Sequence, residues 1–328
     1  DWVGAVEDFS TRVLRAEQAG TPAVQLRTLS EPGPDDTVYA GNLPLLTRHP
    51  VIWFGDGGTG KSYLAMWAAI ELARKGHKVL YADWEFAGED HRLRLRHLCG
   101  SGEMPAEIWY TRCFMPLVQD VGRLRAMVVA HKITYVICDS IGYACLGAPE
   151  SAESANDYAR ATRSLGIGSL HIAHITKGSN DPEDKTPPSA RKPFGSIFWA
   201  NSARATWFLK RADEGGDENQ IDVALYHAKA NTSRRFPAMG KRLRFYPDAV
   251  QLDDFDVSAH VELTRKLPIW QRMKGLLESG ALSIDEIAEV LNVKADSVKR
   301  ESNLKNRTFQ RLEDGRISLS LVSAKERF

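Results

Sequence analysis

Gly55-Asp56-Gly57-Gly58-Thr59-Gly60-Lys61-Ser62 fits the spacing G-x-x-x-x-G-K-[ST], and its flanks decide how it is read. Before it runs Pro50-Val51-Ile52-Trp53-Phe54, a short apolar run of strand type. After it Tyr63 to Lys75, rich in Ala and Leu, predicts a helix that stops at Gly76. A strand, a glycine-rich loop and a helix in that order make a phosphate cradle. Glycines let backbone N–H groups converge on an anion, and the helix N-terminus adds the positive end of its dipole. Lys61 is placed to reach the β- and γ-phosphates, and Ser62 to ligand Mg²⁺. The candidate cofactor-binding set is therefore Gly55, Gly57, Gly58, Thr59, Gly60, Lys61, Ser62 and Tyr63, with ATP and Mg²⁺ the expected cofactors. A glycine-rich turn that merely contains a lysine would not need both flanks to match.

Around this loop the pattern alternates between strands and helices, which predicts an α/β fold with a mostly parallel central sheet. Lys78–Asp83 reads as a second strand, Gly88–Leu98 as a helix, Ile108–Arg112 as a short strand and Val121–His131 as a helix. Ile133–Asp139 is a third principal strand, Ser154–Leu165 a helix and Ser169–His174 a fourth strand. Phe198–Lys210 and Gln220–Lys229 are expected to continue the sheet, with short antiparallel pieces at Leu243–Phe245 and Ala249–Leu252. Upstream, Val3, Val6, Phe9, Val13 and Leu14 give Trp2–Gln18 helical spacing, and turn-rich Gly20–Thr37 reads as a linker.

From Leu267 the pattern changes. Pro268–Ser279 predicts a helix. Ser283 and Glu286 form a capping box for a second, Lys294–Lys305 is a third, and Asp314-Gly315 is a hairpin signal between Arg307–Leu312 and Arg316–Leu321. Three helices and a hairpin predict a winged helix. The expected organisation is an N-terminal helix and linker (1–27), the ATPase domain (28–258) and a small C-terminal domain (265–328).

Bulk properties narrow the class. With 328 residues and 43% apolar content, the chain has material for one large domain or two. No apolar run approaches the ~18 residues of a membrane span, and Asp1-Trp2-Val3-Gly4 does not begin a signal peptide. The four cysteines, Cys99, Cys113, Cys138 and Cys145, lack C-x-x-C spacing and read as reduced thiols of a cytoplasmic protein. Lys and Arg number 43 against 42 Asp and Glu, so any nucleic-acid contact has to come from local patches.

Two strand ends carry the remaining chemistry. The third strand finishes at Cys138-Asp139-Ser140, where a carboxylate beside the loop would hold Mg²⁺ together with Ser62. The second finishes at Asp83-Trp84-Glu85, where an acid would face the γ-phosphate and orient or deprotonate the attacking water. Glu85 is the preferred base. Asp83 is the alternative, and a strand-end cap is the bland reading of it.

The segments G-D-G-G-T-G-K-S, Y-A-D-W-E, V-I-C-D-S, H-I-A-H-I-T-K and A-K-A-N resemble the RecA-like branch of P-loop ATPases over roughly Asn42–Asp253. Within that branch H-I-A-H-I-T-K, F-G-S-I-F-W-A-N-S-A-R and H-A-K-A-N look most like RepA-type hexameric helicases of plasmids and phages, relatives of RadA, DnaB and KaiC. The resemblance implies a homo-oligomeric ring or filament with ATP at subunit interfaces and single-stranded DNA as partner. It implies that His174 senses the γ-phosphate and that Arg204 and Lys229 reach a neighbour's triphosphate. DnaB-like relatives carry Lys-x-Arg at this last position. Here it is Lys229-Ala230-Asn231, which shifts the finger role to Arg204 or to Arg234 and Arg235.

The same resemblance places the loops Gly142–Glu153 and Lys177–Gly195 at a central channel, with Lys177, Lys185, Arg191 and Lys192 as DNA contacts. A mobile surface loop is the alternative for the second. In the winged helix the stretch Lys294–Arg316 has seven basic and four acidic residues, a net of +3. Lys299, Arg300 and Arg307 are the candidate contacts to duplex DNA there, with protein docking as the alternative. The expected function is an ATP-driven, DNA-associated motor of replicative-helicase type. A RadA-like recombinase or mediator and a KaiC-like regulatory ATPase are the other readings.

Overall fold

The computed structural model describes residues 1–19, 23–29, 36–175, 191–212, 217–231, 236–257, 267–305 and 308–320. The chain divides into two compact units, Asp1–Asp36 and Thr37–Phe328. The first consists of helix α1 (Trp2–Ala19) and a 3₁₀ turn at Leu26–Thr28. In α1, Trp2, Val6, Phe9 and Val13 are exposed, and Arg12 pairs with Asp8 one turn back at 2.8 Å.

The second unit opens with a hairpin, β1 (Thr37–Ala40) and β2 (Leu43–Leu46), turning at Gly41-Asn42. Strand β3 (Pro50–Gly55) and helix α2 (Lys61–Arg74) flank the glycine-rich loop. Then come β4 (Val79–Asp83), α3 (Gly88–Cys99), β5 (Ile108–Arg112), α4 (Leu117–His131) and β6 (Tyr135–Asp139). A short helix α5 (Ile141–Ala144) precedes α6 (Ala152–Ser164), β7 (Gly168–His174) and α7 (Ile197–Ser202). The sheet is completed by β8 (Ala205–Arg211), β9 (Gln220–Ala230), β10 (Met239–Phe245) and β11 (Val250–Phe255). The C-terminal segment holds α8 (Ile269–Leu277), α9 (Ile284–Leu291), α10 (Ala295–Leu304), β12 (Phe309–Arg311) and β13 (Ile317–Leu319).

The main sheet has nine strands in the order β11-β10-β9-β8-β3-β7-β6-β4-β5. From β8 to β5 every pairing is parallel, and from β8 to β11 every pairing is antiparallel. Buried parallel strands read as continuous apolar runs, and alternate side chains go to opposite faces. Val51 and Trp53 of β3, Val79 and Tyr81 of β4, and Tyr135 and Ile137 of β6 enter one core with α2 and the β1–β2 hairpin. Ile52 and Phe54, Leu80 and Ala82, and Val136 and Cys138 enter the other with α4, α6 and α7. Alanines 65, 68 and 69 bring α2 close to the sheet. A third core, around Met273, Leu277, Ile287, Val298, Phe309 and Ile317, belongs to the C-terminal segment.

Three expectations change. Phe198–Lys210 does not continue the sheet as one piece. Residues 197–202 form α7, started by Ser196, whose hydroxyl accepts from the Phe198 amide at 3.3 Å. Gly142–Glu153 is not a plain loop either. Its start lies in α5 and its end in α6, which Ser151 caps by accepting from the Ser154 amide. Thr37, read as the end of a linker, is the first residue of β1. The capping box of α9 is formed. Glu286 N–H donates to Ser283 Oγ at 3.2 Å, and Ser283 N–H donates to Glu286 Oε2 at 2.7 Å.

Candidate active site

The phosphate loop sits at the carboxyl ends of the parallel strands, the end at which open α/β sheets bind ligands. Gly55 closes β3 against its neighbour. A Cβ there would lie 2.3 Å from the Leu209 carbonyl oxygen of β8. Gly60 has φ +75°, a left-handed conformation that disfavours any side chain, and a Cβ there would meet Leu243 Cδ1 at 2.6 Å. Both glycines are dictated by close approach. No side chain caps the N-terminus of α2, so its first N–H groups are left for a ligand.

Lys61 is buried, and its ammonium donates to the carbonyls of Gly55 (3.0 Å) and Asp56 and to Thr59 Oγ1 (3.2 Å). Burial lowers its pKa to about 8, opposed by the negative fields of Asp139, Asp56 and Glu85.

Asp139 ends β6 and is buried, which raises its pKa against the hydrogen bonds of Ser62 and Tyr81. Tyr81 donates to Oδ2 at 2.8 Å, while Oδ1 is buried without a hydrogen-bond partner among the described residues. An orphaned buried carboxylate oxygen beside a serine hydroxyl fits Mg²⁺, which takes one or two carboxylates plus phosphate oxygens. Asp139 and Ser62 would hold the ion.

The two acids at the end of β4 differ sharply. Asp83 is fully buried and committed. Oδ1 accepts from the Glu85 amide (3.0 Å). Oδ2 accepts from the Phe86 amide (2.8 Å), Tyr110 Oη (3.3 Å) and Arg112 Nη1 (3.0 Å). His91 Nε2 stands 3.3 Å from Oδ2, at ion-pair distance but without hydrogen-bond alignment. Burial pushes this carboxyl up, and the contacts from His91, Glu85 and Phe86 outweigh it and leave the pKa below the ordinary value. Glu85 is half-buried, and its carboxylate has no hydrogen-bond or ion-pair partner among the described residues.

His174 ends β7 opposite Gly55 in the parallel register. Burial first, then the Lys61 ammonium, lowers its pKa below the ordinary imidazole value. Arg204 and Lys229 are elsewhere. The Arg204 amide donates to Pro50 O at the start of β3, and Lys229 pairs with Thr206 just inside β8, both at the opposite end of the sheet from the loop. Lys229 caps the end of α7, donating to the carbonyls of Ala200 (2.6 Å) and Ala203 (3.0 Å). Arg204 is exposed and has no side-chain partner among the described residues.

Of the DNA candidates, Arg191 lies 5.5 Å from the Phe208 ring and Lys192 is exposed. Lys177, Lys185 and Arg307 lie outside the described residues, as do Arg234 and Arg235. Lys299 and Arg300 are exposed on α10, with Arg300 3.8 Å from Glu301. Four side chains went unread in the sequence: Tyr81, His91, Tyr110 and Arg112. No local motif marks them. The available signal is a charged pair at matching ends of adjacent strands, Asp83 opposite Arg112, and it needs the strand order to be seen.

No protein-family profile and no curated protein matches this sequence. Solved structures do. One of them, an isolated ATPase domain, superposes with a TM-score of 0.50 at 16% identity, over 64% of this chain and 85% of that one. A DnaB-like replicative helicase, solved to describe its interactions with primase, gives 0.48 at 16% identity, over 61% of this chain and 56% of its own length. The fold is thus of RecA-like α/β type, like that of the first of these structures. No helix among the described residues is long and apolar enough to cross a membrane.

Proposed function

We propose that this chain hydrolyses Mg-ATP as the motor unit of a DNA-associated ring or filament of replicative-helicase type, acting on single-stranded DNA. The observation that carries the hydrolysis is the grouping of Lys61, Ser62 and Asp139 about one loop, with Glu85, just past the end of β4, a carboxylate without a hydrogen-bond or ion-pair partner among the described residues. Bound Mg²⁺ would supply charge neutralisation between the β- and γ-phosphates. Lys61 exchanges its loop carbonyls for phosphate oxygens and offsets the charge that develops on them. Glu85 orients a water in line with the γ-phosphorus and accepts its proton at a carboxylate oxygen. His174, at the end of β7 opposite Gly55, is the candidate donor to a γ-phosphate oxygen.

The assembled state is supported by where Arg204 lies. An exposed guanidinium a sheet length away from its own loop serves a triphosphate only when that triphosphate belongs to a neighbour. Lys229, tied to α7, then positions that segment, and Arg204 is the finger. We assign α8–α10 and the β12–β13 hairpin as a winged helix whose α10 face, with Lys299 and Arg300, contacts DNA phosphates. The deciding experiment is the ATPase rate with and without single-stranded DNA, measured alongside assembled mass and strand unwinding. Stimulation with unwinding supports the helicase. Filaments with strand exchange point to a recombinase, and neither activity points to a regulatory ATPase.

A further inference from the structure

Glu85 stands in a short connection between β4 and α3, yet the residues on both sides of it are pinned. Trp84 is buried, and its indole N–H donates to Met115 O at 2.8 Å. On the other side the Glu85 and Phe86 amides both donate to Asp83. The Phe86 carbonyl accepts from Tyr110 Oη at 3.0 Å and from Arg112. Arg94 lies over the Phe86 ring at 4.4 Å and faces the Tyr63 ring, one residue beyond Ser62, at 5.5 Å. Gly88 is packed so tightly that a Cβ would lie 2.9 Å from Tyr110 Cε1. The Glu85 and Phe86 backbone groups named here are held by side chains of β4 and β5, while the Glu85 carboxylate has no hydrogen-bond or ion-pair partner among the described residues.

A strand-end cap needs one or two of these bonds. This cluster buries a carboxylate completely, holds the peptide plane following Glu85 through the Phe86 amide on Asp83, and brings Arg112 to both Asp83 and the Phe86 carbonyl, which fixes the next plane. A base acts only within hydrogen-bond reach of its water, and a displacement of about 1 Å costs on the order of 10²-fold in rate. We propose that Asp83 and Arg112, with Tyr110, are positioning residues for hydrolysis, holding the 84–88 connection so that Glu85 meets the attacking water. The inference rests on Glu85 being the base.

The test is a double-mutant cycle on the full chain. Arg112→Gln should lower kcat by roughly 10–100-fold while the Kd for a fluorescent ATP analogue stays within about twofold of wild type. Arg112→Lys, which keeps a cation for the Phe86 carbonyl, should recover most of the loss. In a Glu85→Gln background the Arg112→Gln change should alter the residual rate by less than about twofold, because the group it positions is already gone. Arg112 is partly exposed, and Tyr110→Phe, which deletes one hydroxyl, repeats the cycle with a smaller perturbation. An Arg112→Gln variant with wild-type kcat, or one that loses the same factor in both backgrounds, overturns the positioning role and leaves the base assignment standing. If Glu85→Gln alone retains wild-type turnover, the base assignment fails and the positioning role with it.

Discussion

The two charged regions of the molecule are built on opposite plans. Around the phosphate loop three ionisable groups are buried and held largely by backbone groups and neighbouring side chains. Lys61 is 5% exposed, Asp139 1% and Asp83 0%. In the C-terminal segment the charges are exposed and pair with near neighbours, Arg300 with Glu301 and Arg316 with Asp314. In the first region each group has one geometry and its removal leaves partners stranded in a low-dielectric interior, so effects are large and non-additive. In the second each charge is hydrated and replaceable, so effects are small and close to additive.

The comparison breaks first at Lys61. Lys61→Ala should reduce ATP turnover by about 10³-fold or more with the fold retained, since it removes the loop's only side-chain cation. Wild-type turnover from this variant in a phosphate-release assay would remove the ATPase reading. Glu85→Gln comes next. ATP should still bind, and hydrolysis should drop about 10²–10⁴-fold, the range for losing a general base. A mild Glu85→Gln beside a crippling Asp83→Asn would exchange the two roles.

Asp83 also sharpens the contrast through pH. Its folded pKa lies below the unfolded value, so its ionised form stabilises the fold above the unfolded pKa, and that stabilisation is lost as pH falls through the folded pKa. Urea midpoints measured from pH 7 to pH 3 should fall, and Asp83→Asn should start lower and flatten that acid limb. An unchanged limb would mean that other carboxylates carry it. The smallest effects belong to the C-terminal segment. Lys299→Ala and Arg300→Ala should each lower the slope of log affinity against log salt by about one while leaving basal hydrolysis intact. Unchanged DNA affinity and slope in both would make this segment a protein-docking module.

The loop was legible because strand, glycines, lysine and helix are contiguous, and each answers a local requirement. The places of Asp139 at the end of β6 and of Glu85 just past β4 were legible because a strand ending in acid is also a local pattern. The β1–β2 hairpin was read through although Gly41-Asn42 marks its turn, because strands of four residues show too little alternation. Helix α7 was hidden by Phe198 and Trp199, whose aromatic character suits a strand as well as a buried helix face. The Asp83–Arg112 clamp could not be read at all. It joins residues 29 apart through a pairing of β4 with β5 that depends on the order of the whole sheet.

The tight seat of Gly55 on β8 has a mechanical side. With no side chain between them, the loop and the Leu209 carbonyl touch backbone to backbone, and β8 runs from there to Arg204 about 17 Å away as an extended strand bonded along both edges. Its pairing with β9 is regular from Leu209 to Trp207 and shifts register between Trp207 and Thr206. A shift at Gly55 therefore meets the β8 backbone directly, with no side chain between them to take it up.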